Sequence, residues 1–277
     1  MRILRLLAFA TVVGVVAAVA LTLWQHSDSL FAPADGCTAS VNKRTAAVAT
    51  DQGENAALIA AIGMQRHLPA RAVSIALATA FQESKIRNIP GGDADSLGIF
   101  QQRPSQGWGT PDEIMDPVYA TNAFYNALEK IPDYQSLDIT VAAQEVQRSA
   151  YPSAYAQHED AARALASALT GNSAAAFTCV VSDDEETGTA AKVIAGLRRG
   201  FGSLVHPTKG LRQNLTVPVK SPIIGWSVAH YAVAMAPELH IKTVLFAGKT
   251  WHTGKDSAKG WTDDATASTA EVTLLME

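Results

Sequence analysis

The chain has 277 residues, of which 48% are hydrophobic and 17% charged, so it carries enough apolar material for a packed core. Its 49 alanines favour closely packed helices, and its formal net charge of −4 argues against a globally basic nucleic-acid-binding protein. Two cysteines exclude a disulfide-dense scaffold and a Cys-based zinc finger.

Charge is distributed unevenly along the chain. Residues 37–180 carry a net charge of −4, residues 181–190 add four acidic side chains, and residues 191–277 carry a net charge of +4. This split predicts a larger domain over 37–180, an acidic linker over 181–190 and a smaller domain over 191–277.

Residues 1–36 are predicted to be a transmembrane anchor and its tether. The uncharged run Leu6–Trp24 follows Arg2 and Arg5, and its 19 residues could cross a bilayer as a helix. Because the basic residues precede the run, we expect a single-pass cell-membrane protein with a cytoplasmic N-terminus and an extracytoplasmic bulk. A cleaved signal peptide is the alternative, since residues 18–20 (Ala-Val-Ala) resemble a cleavage site.

Export changes what is expected of the two cysteines. Outside the cytoplasm Cys37 and Cys179 should be oxidised, and they lie near the two ends of the 37–180 segment. One disulfide between them would stabilise that domain by about 4–5 kcal/mol in the chain-entropy model. Two buried, unpaired thiols are the alternative.

Apolar residues at helical spacing predict a mainly α domain over 37–180. The expected helices are 57 to about 67–69, about 70–84, 116–131, 137–148 and 151–170. The second of them places Glu83 at the edge of its apolar stripe, near its C-terminal end. Burial and the negative end of the helix dipole both favour the protonated carboxyl, which is what a general acid requires. An ordinary solvated glutamate at a frayed helix end is the alternative.

An irregular segment rich in glycine, proline and amide side chains interrupts the helices at 88–110. It also carries apolar and aromatic side chains, among them Phe100 and Trp108. Long irregular segments inside a compact domain are often functional, and amides beside aromatic faces suit a sugar. A structural loop tucked under a helix is the alternative.

Two short strings in this region resemble those of a known family. Residues 78–84 (Ala-Thr-Ala-Phe-Gln-Glu-Ser) and 96–104 resemble the lysozyme-like lytic transglycosylases and goose-type lysozymes. The family pattern is a Glu-Ser pair at a helix end followed by a Gly-Leu-Met-Gln turn, to which residues 98–101 (Gly-Ile-Phe-Gln) are similar. The helix that begins at Asp116-Pro117 and residues 142–151 are similar to two later blocks, the last in degenerate form.

The resemblance covers about residues 52–170 and implies a lysozyme-like fold acting on peptidoglycan. It implies cleavage of the glycosidic bond between N-acetylmuramic acid and N-acetylglucosamine, with Glu83 as the catalytic acid and without a cofactor or a metal. By the same matching, the predicted substrate-binding residues are Ser84, Ser96, Gln101, Gln102, Gln147 and Tyr151.

Two reaction outcomes remain open at this point. In the family a single carboxylate often suffices, because the substrate's C6 hydroxyl closes a 1,6-anhydro ring and the enzyme is a lytic transglycosylase. A second carboxylate, Asp93 or Asp95, would favour hydrolysis by a muramidase. We expect both aspartates to have structural roles in the loop. The alternative for the whole chain is a non-catalytic lysozyme-like wall-binding component of an envelope complex.

Residues 191–277 are predicted to form a small α+β accessory domain, with helices near 190–198 and 226–236 and strands near 242–247 and 271–276. Four of the seven histidines lie here. Residues 206–210 (His-Pro-Thr-Lys-Gly), the helix near Gly225-Trp226 and residues 244–251 are distantly similar to exported zinc carboxypeptidase-like domains. The aspartate and the late histidine of that pattern are missing, so we expect no zinc centre.

The expected partners follow from these assignments. They are peptidoglycan glycan strands, the membrane through Leu6–Trp24, and an envelope protein through a wall-binding or partner-binding surface of 191–277. Nucleic acid is not expected as a partner.

Overall fold

The computed structural model of the protein describes residues 35–147, 154–183, 186–210 and 214–277. The helices are α1 Thr50–Gln65, α2 Ala70–Ser84, α3 Pro111–Met115, α4 Pro117–Leu128, α5 Ile139–Gln147, α6 Glu159–Leu169, α7 Ala190–Phe201, α8 Pro222–Ala234 and α9 Ala236–Leu239. The strands are β1 Gly36–Val41, β2 Arg44–Val48, β3 Phe177–Val180, β4 Thr208–Lys209, β5 Leu215–Pro218, β6 Thr243–Phe246, β7 Lys249–His252, β8 Thr262–Asp263 and β9 Glu271–Leu275.

A three-stranded antiparallel sheet joins the two ends of the segment predicted as the larger domain. Its strand order is β2-β1-β3, and Cys37 lies directly opposite Cys179 in the register of β1 and β3. The two cysteines form a disulfide across a sequence separation of 142 residues, and both are buried. The predicted disulfide is therefore confirmed, and such bonds are typical of proteins outside the cytoplasm.

A six-stranded antiparallel sheet occupies the C-terminal part, in the order β4-β5-β9-β6-β7-β8. Helix α8 packs against β6 and β9 on one side and against α1, α6 and β3 on the other. Each of its residues from Gly225 to Ala234 is buried, as expected for a helix that is apolar on all sides. The helix thus links the two sheets through one continuous core.

The prediction of a mainly α chain is wrong, because both parts of the described structure contain an antiparallel sheet. Strands β4 and β8 are two residues long, too short to produce a periodic pattern. Strands β1 and β3 pair across more than 130 residues, and that pairing cannot be deduced from local alternation. Alanine, which favoured helices, also occurs in β1 and β2.

The membrane prediction is corrected as well. No helix among the described residues combines the length and the apolar character that crossing a bilayer requires. The prediction of a single-pass membrane protein with a cytoplasmic N-terminus requires a helix of that kind, and this finding does not support it. The run Leu6–Trp24, on which it rested, lies outside the described residues.

The segment predicted as an acidic linker makes specific contacts at its described positions. The Asp183 carboxylate accepts a hydrogen bond from Lys242 Nζ at 2.9 Å, and Glu186 Oε2 lies 3.2 Å from His240 Nε2. Residues Asp35–Glu277 form one compact unit. The division into two domains at 181–190 stays a prediction about how the chain is organised.

Two tryptophans of the C-terminal part donate hydrogen bonds to backbone carbonyls of β3. Trp261 Nε1 donates to the Phe177 carbonyl at 2.8 Å, and Trp251 Nε1 donates to the Cys179 carbonyl at 3.1 Å. Trp251 is fully buried. These tryptophans therefore have a structural role beside the disulfide, since buried indole N–H groups and carbonyls need partners.

We expect Gly171→Ala to destabilise the protein by about 2–5 kcal/mol. Gly171 has a φ of +75°, and a methyl group there would lie 1.9 Å from the Ile223 carbonyl oxygen at the start of α8. Gly248→Ala is the matched control, because Gly248 has the same φ and no atom within 4 Å of the added methyl group. Urea unfolding should show a loss of only about 1–2 kcal/mol for the control, from backbone strain alone. Equal losses in the two variants would contradict the packing explanation.

Candidate active site

Helix α2 ends where the candidate acid lies. Glu83 is in its last turn, and the residue after the helix, Lys85, adopts a left-handed conformation with φ +56°. The Lys85 and Ile86 N–H groups donate to the Phe81 and Ala80 carbonyls at 3.0 and 2.9 Å. These bonds satisfy the last carbonyls of the helix, so the helix end is closed rather than frayed. The predicted bounds of this helix, 70–84, are confirmed.

A phenol and an amide contact the Glu83 carboxyl. Tyr155 donates its hydroxyl hydrogen to Glu83 Oε1 at 2.7 Å, and the side chain of Gln147 also hydrogen-bonds to the carboxyl group. Burial raises the pKa of Glu83, while the hydrogen bonds from Tyr155 and Gln147 act in the opposite direction; burial is the largest contribution and the pKa is raised overall. The half-buried carboxyl therefore holds its proton to a higher pH than an ordinary glutamate.

Helix α5 brings Gln147 to this position. Near the start of α2, Arg71 donates to the Leu137 carbonyl just before α5, and at the other end Gln147 reaches Glu83. The two helices therefore run side by side in the same direction. Gln147 also donates from Nε2 to the Phe100 carbonyl at 2.8 Å, so it connects the acid with the turn at 98–101.

The 98–101 turn is fixed against the end of α2. Ser84 Oγ donates to the Ile99 carbonyl at 2.7 Å, and the buried ring of Phe100 stacks on Phe124 with centroids 4.6 Å apart. Gly98 has a φ of +76°, and a Cβ there would lie 2.7 Å from the Ile114 carbonyl oxygen. This turn therefore requires glycine at its first position.

The predicted substrate-binding residues differ in how close they lie to Glu83. Gln147 hydrogen-bonds to Glu83. Ser84, the next residue after Glu83, is buried and holds the turn at 98–101 through its hydrogen bond to the Ile99 carbonyl. Gln101 is half-buried and folds back to donate to the Gly98 carbonyl at 3.1 Å. Its binding role, like those of the other predicted site residues, stays a prediction.

Two of the predicted residues lie behind the turn. Gln102 is only 1% exposed and donates to the Ala120 carbonyl at 3.1 Å, and Ser96 is 7% exposed. In these positions their side chains contact the protein interior. Tyr151 lies outside the described residues.

Sequence reasoning missed Tyr155. It expected one helix over 151–170, but α6 begins at Glu159 and is preceded by a single 3₁₀ turn, Ala156–His158. His158 at the end of that turn stacks on Phe81 with centroids 5.4 Å apart, which fixes the turn on α2. The sequence alone gave no signal for Tyr155, because its contact with Glu83 depends on how the 3₁₀ turn packs against α2.

Asp95 has a structural role in the loop. Its carboxylate accepts hydrogen bonds from Arg103 Nε at 2.7 Å and from the Ser105 N–H at 2.8 Å. The Arg103 guanidinium and the Ser105 donors hold the pKa of this carboxyl well below its usual range. Asp93 is exposed, and its carbonyl accepts a hydrogen bond from the Ser96 N–H.

The described residues contain no group of three or more His, Cys, Asp or Glu side chains placed to hold a metal ion. The C-terminal histidines have other contacts. His230 is buried and lies 2.8 Å from the Ala168 carbonyl, and His252 Nδ1 lies 3.0 Å from Thr243 Oγ1.

Comparison of the chain with models of known protein families found no match. Comparison with curated proteins also found no significantly similar sequence. The case for this site therefore rests on its residues and their geometry.

Proposed function

We propose that the protein cleaves the glycosidic bonds of peptidoglycan, as a lytic transglycosylase or a muramidase, with Glu83 as its general acid. One observation carries the proposal: a half-buried carboxyl of raised pKa at a closed helix end, held by a phenol and an amide. The similarity of Glu83-Ser84 and of Gly98–Gln101 to the lysozyme-like lytic transglycosylases supports the same chemistry.

The hydrogen bond from Tyr155 assigns different roles to the two carboxyl oxygens. Oε1 accepts the Tyr155 hydrogen, so the acidic proton belongs on Oε2. This proton passes to the glycosidic oxygen as its bond to C1 breaks, and the departing sugar keeps the electron pair. Positive charge then develops at C1, and the newly formed carboxylate remains held by Tyr155 and Gln147.

The proposal needs a second proton transfer to complete the reaction. In the transglycosylase route the C6 hydroxyl oxygen of the same sugar bonds to C1, and its proton returns to Glu83. In the hydrolytic route a water takes the place of that hydroxyl. The ion pair of Asp95 with Arg103 favours the first route, because this carboxylate is already engaged in the loop.

The direct test is digestion of isolated peptidoglycan by the purified protein. We expect soluble muropeptides to accumulate and the turbidity of the suspension to fall. Cross-linked stem peptides without glycan should stay intact, because the proposed reaction breaks only the sugar backbone. Cleavage of the stem peptides, together with intact glycan strands in the digested peptidoglycan, would refute the proposal.

Tyr155→Phe should move the alkaline limb of the activity profile to higher pH. The Tyr155 hydroxyl stabilises the ionised carboxylate and so lowers the pKa of Glu83; without it the pKa rises. A general acid is active when protonated, so activity should persist to higher pH as the pKa rises. The measurement is kcat/KM against pH for both proteins. An unchanged alkaline limb would show that this hydrogen bond does not tune the acid.

A further inference from the structure

A surface cleft lies where the chain leaves α7, in the part of the molecule that the proposed reaction does not use. After α7 the chain makes a 3₁₀ turn, Gly202–Leu204, and folds back on the last turn of the helix. The cleft has a volume of about 430 Å³. Its lining residues are Arg198, Gly202, Ser203, Val205, His206 and Pro207.

Three polar side chains of the cleft have no partner within the described structure. The Arg198 guanidinium, the His206 imidazole and the Ser203 hydroxyl are exposed, and none makes a hydrogen bond or an ion pair with a described residue. The neighbouring Arg199, in contrast, pairs with Asp116 at 3.3 Å. The residues that line the cleft therefore include an unpaired guanidinium (Arg198), an imidazole (His206) and a hydroxyl (Ser203).

The charge around the cleft is uncompensated. None of its described lining residues is acidic, and Lys209 follows shortly after in the chain without an ion pair to any described residue. Elsewhere in the C-terminal part, Lys242, Lys249 and Lys259 pair with aspartates at 2.7–2.9 Å. The positive charge of Arg198 is therefore not neutralised by an acidic residue of the cleft.

We propose that this cleft binds a phosphoryl group, carried either by a phosphodiester polymer or by free phosphate. A guanidinium presents parallel N–H donors that match two phosphate oxygens, and the hydroxyl of Ser203 and the imidazole of His206 are further hydrogen-bonding groups among the residues that line the cleft. A volume of about 430 Å³ exceeds that of one phosphate and leaves room for a substituent on it. The inference is independent of Glu83 and its reaction.

The test is a calorimetric titration of the whole protein with inorganic phosphate and, separately, with a glycerol phosphate oligomer. We expect Arg198→Ala to weaken the binding of whichever probe binds by about tenfold or more. Lys220→Ala is the matched control, since Lys220 is also exposed, has no ion pair with a described residue and does not line the cleft. It should change the affinity by less than about twofold, because Lys220 gives no donor to the cleft and an exposed charge is screened by salt.

The two probes identify the source of the phosphoryl group. Tighter binding of the oligomer supports a polymer ligand, and equal binding supports free phosphate. The His206 ring signals in an NMR titration should shift with either probe in the wild-type protein. Absence of binding by both probes, equal loss in Lys220→Ala, or equally tight binding of a carboxylate polymer such as polygalacturonate would overturn the proposal.

Discussion

Glu83→Gln is expected to lower the rate of peptidoglycan cleavage by about 10²–10⁴-fold, the usual range for the loss of a general acid. Glutamine has nearly the same shape and can still accept the Tyr155 hydrogen bond, but it has no proton of comparable acidity to give to the glycosidic oxygen. Because the native carboxyl is half-buried and its pKa is raised by that burial, a neutral amide should be tolerated there. The melting temperature should therefore change little. Initial rates of muropeptide release measure the effect.

Glu54→Gln is the control for this variant. Glu54 is also a half-buried glutamate, and burial, with Glu238 and Asp51 nearby, raises its pKa to about 7. It lies on α1, and the catalytic scheme assigns it no role. Its replacement should leave the rate within about twofold of the wild type. A similar loss of activity in both variants would indicate a general effect of charge or folding, and near-normal activity of Glu83→Gln would remove Glu83 from the mechanism.

Removal of the disulfide is expected to produce a large loss of stability. The Cys37–Cys179 bond closes a loop of more than 140 residues, and the chain-entropy model gives about 4–5 kcal/mol for a loop of that size. Both cysteines are buried opposite each other in β1 and β3, and the Cys179 carbonyl accepts the Trp251 indole N–H. Loss of the bond should therefore also loosen the contact between β3 and the C-terminal part.

Urea unfolding of the Cys37→Ala/Cys179→Ala variant, followed by tryptophan fluorescence, measures this effect. The wild-type protein is also measured under reducing conditions, where the cross-link is lost but both cysteine side chains remain. Comparison with the double variant then separates the effect of the cross-link from that of the two sulfur atoms. We expect the two proteins to be destabilised by similar amounts. A loss below about 1 kcal/mol in both would contradict a structural role for the bond.

Local sequence patterns were sufficient to predict the element that carries the acid. The apolar stripe of α2 indicated a helix over about 70–84, and the position of Glu83 beside that stripe predicted its partial burial. The C-terminal strands predicted near 242–247 and 271–276 also correspond to β6 and β9. In each case the pattern is set by residues that are neighbours along the chain, so a single sequence contains it.

Features that depend on distant parts of the chain could not be predicted in the same way. Tyr155 reaches Glu83 across 72 positions, because a 3₁₀ turn packs on α2. Gln102 has an amide side chain of the kind that binds sugars. The turn directs this side chain into the interior, where it donates a hydrogen bond to the Ala120 carbonyl. The first sheet was missed because its strands are only four to six residues long and because β1 and β3 pair across most of the larger segment.

The most direct test of the account is mass spectrometry of the soluble products released from isolated peptidoglycan by the wild-type protein and by Glu83→Gln. The account predicts that the wild-type products are disaccharide-peptides cut between N-acetylmuramic acid and N-acetylglucosamine. Their muramic acid ends should be lighter than a reducing end by one water, because the C6 hydroxyl closes the ring. The same products should be scarce for Glu83→Gln. Release of peptides without any cut in the glycan, or equal yields from both proteins, would contradict it.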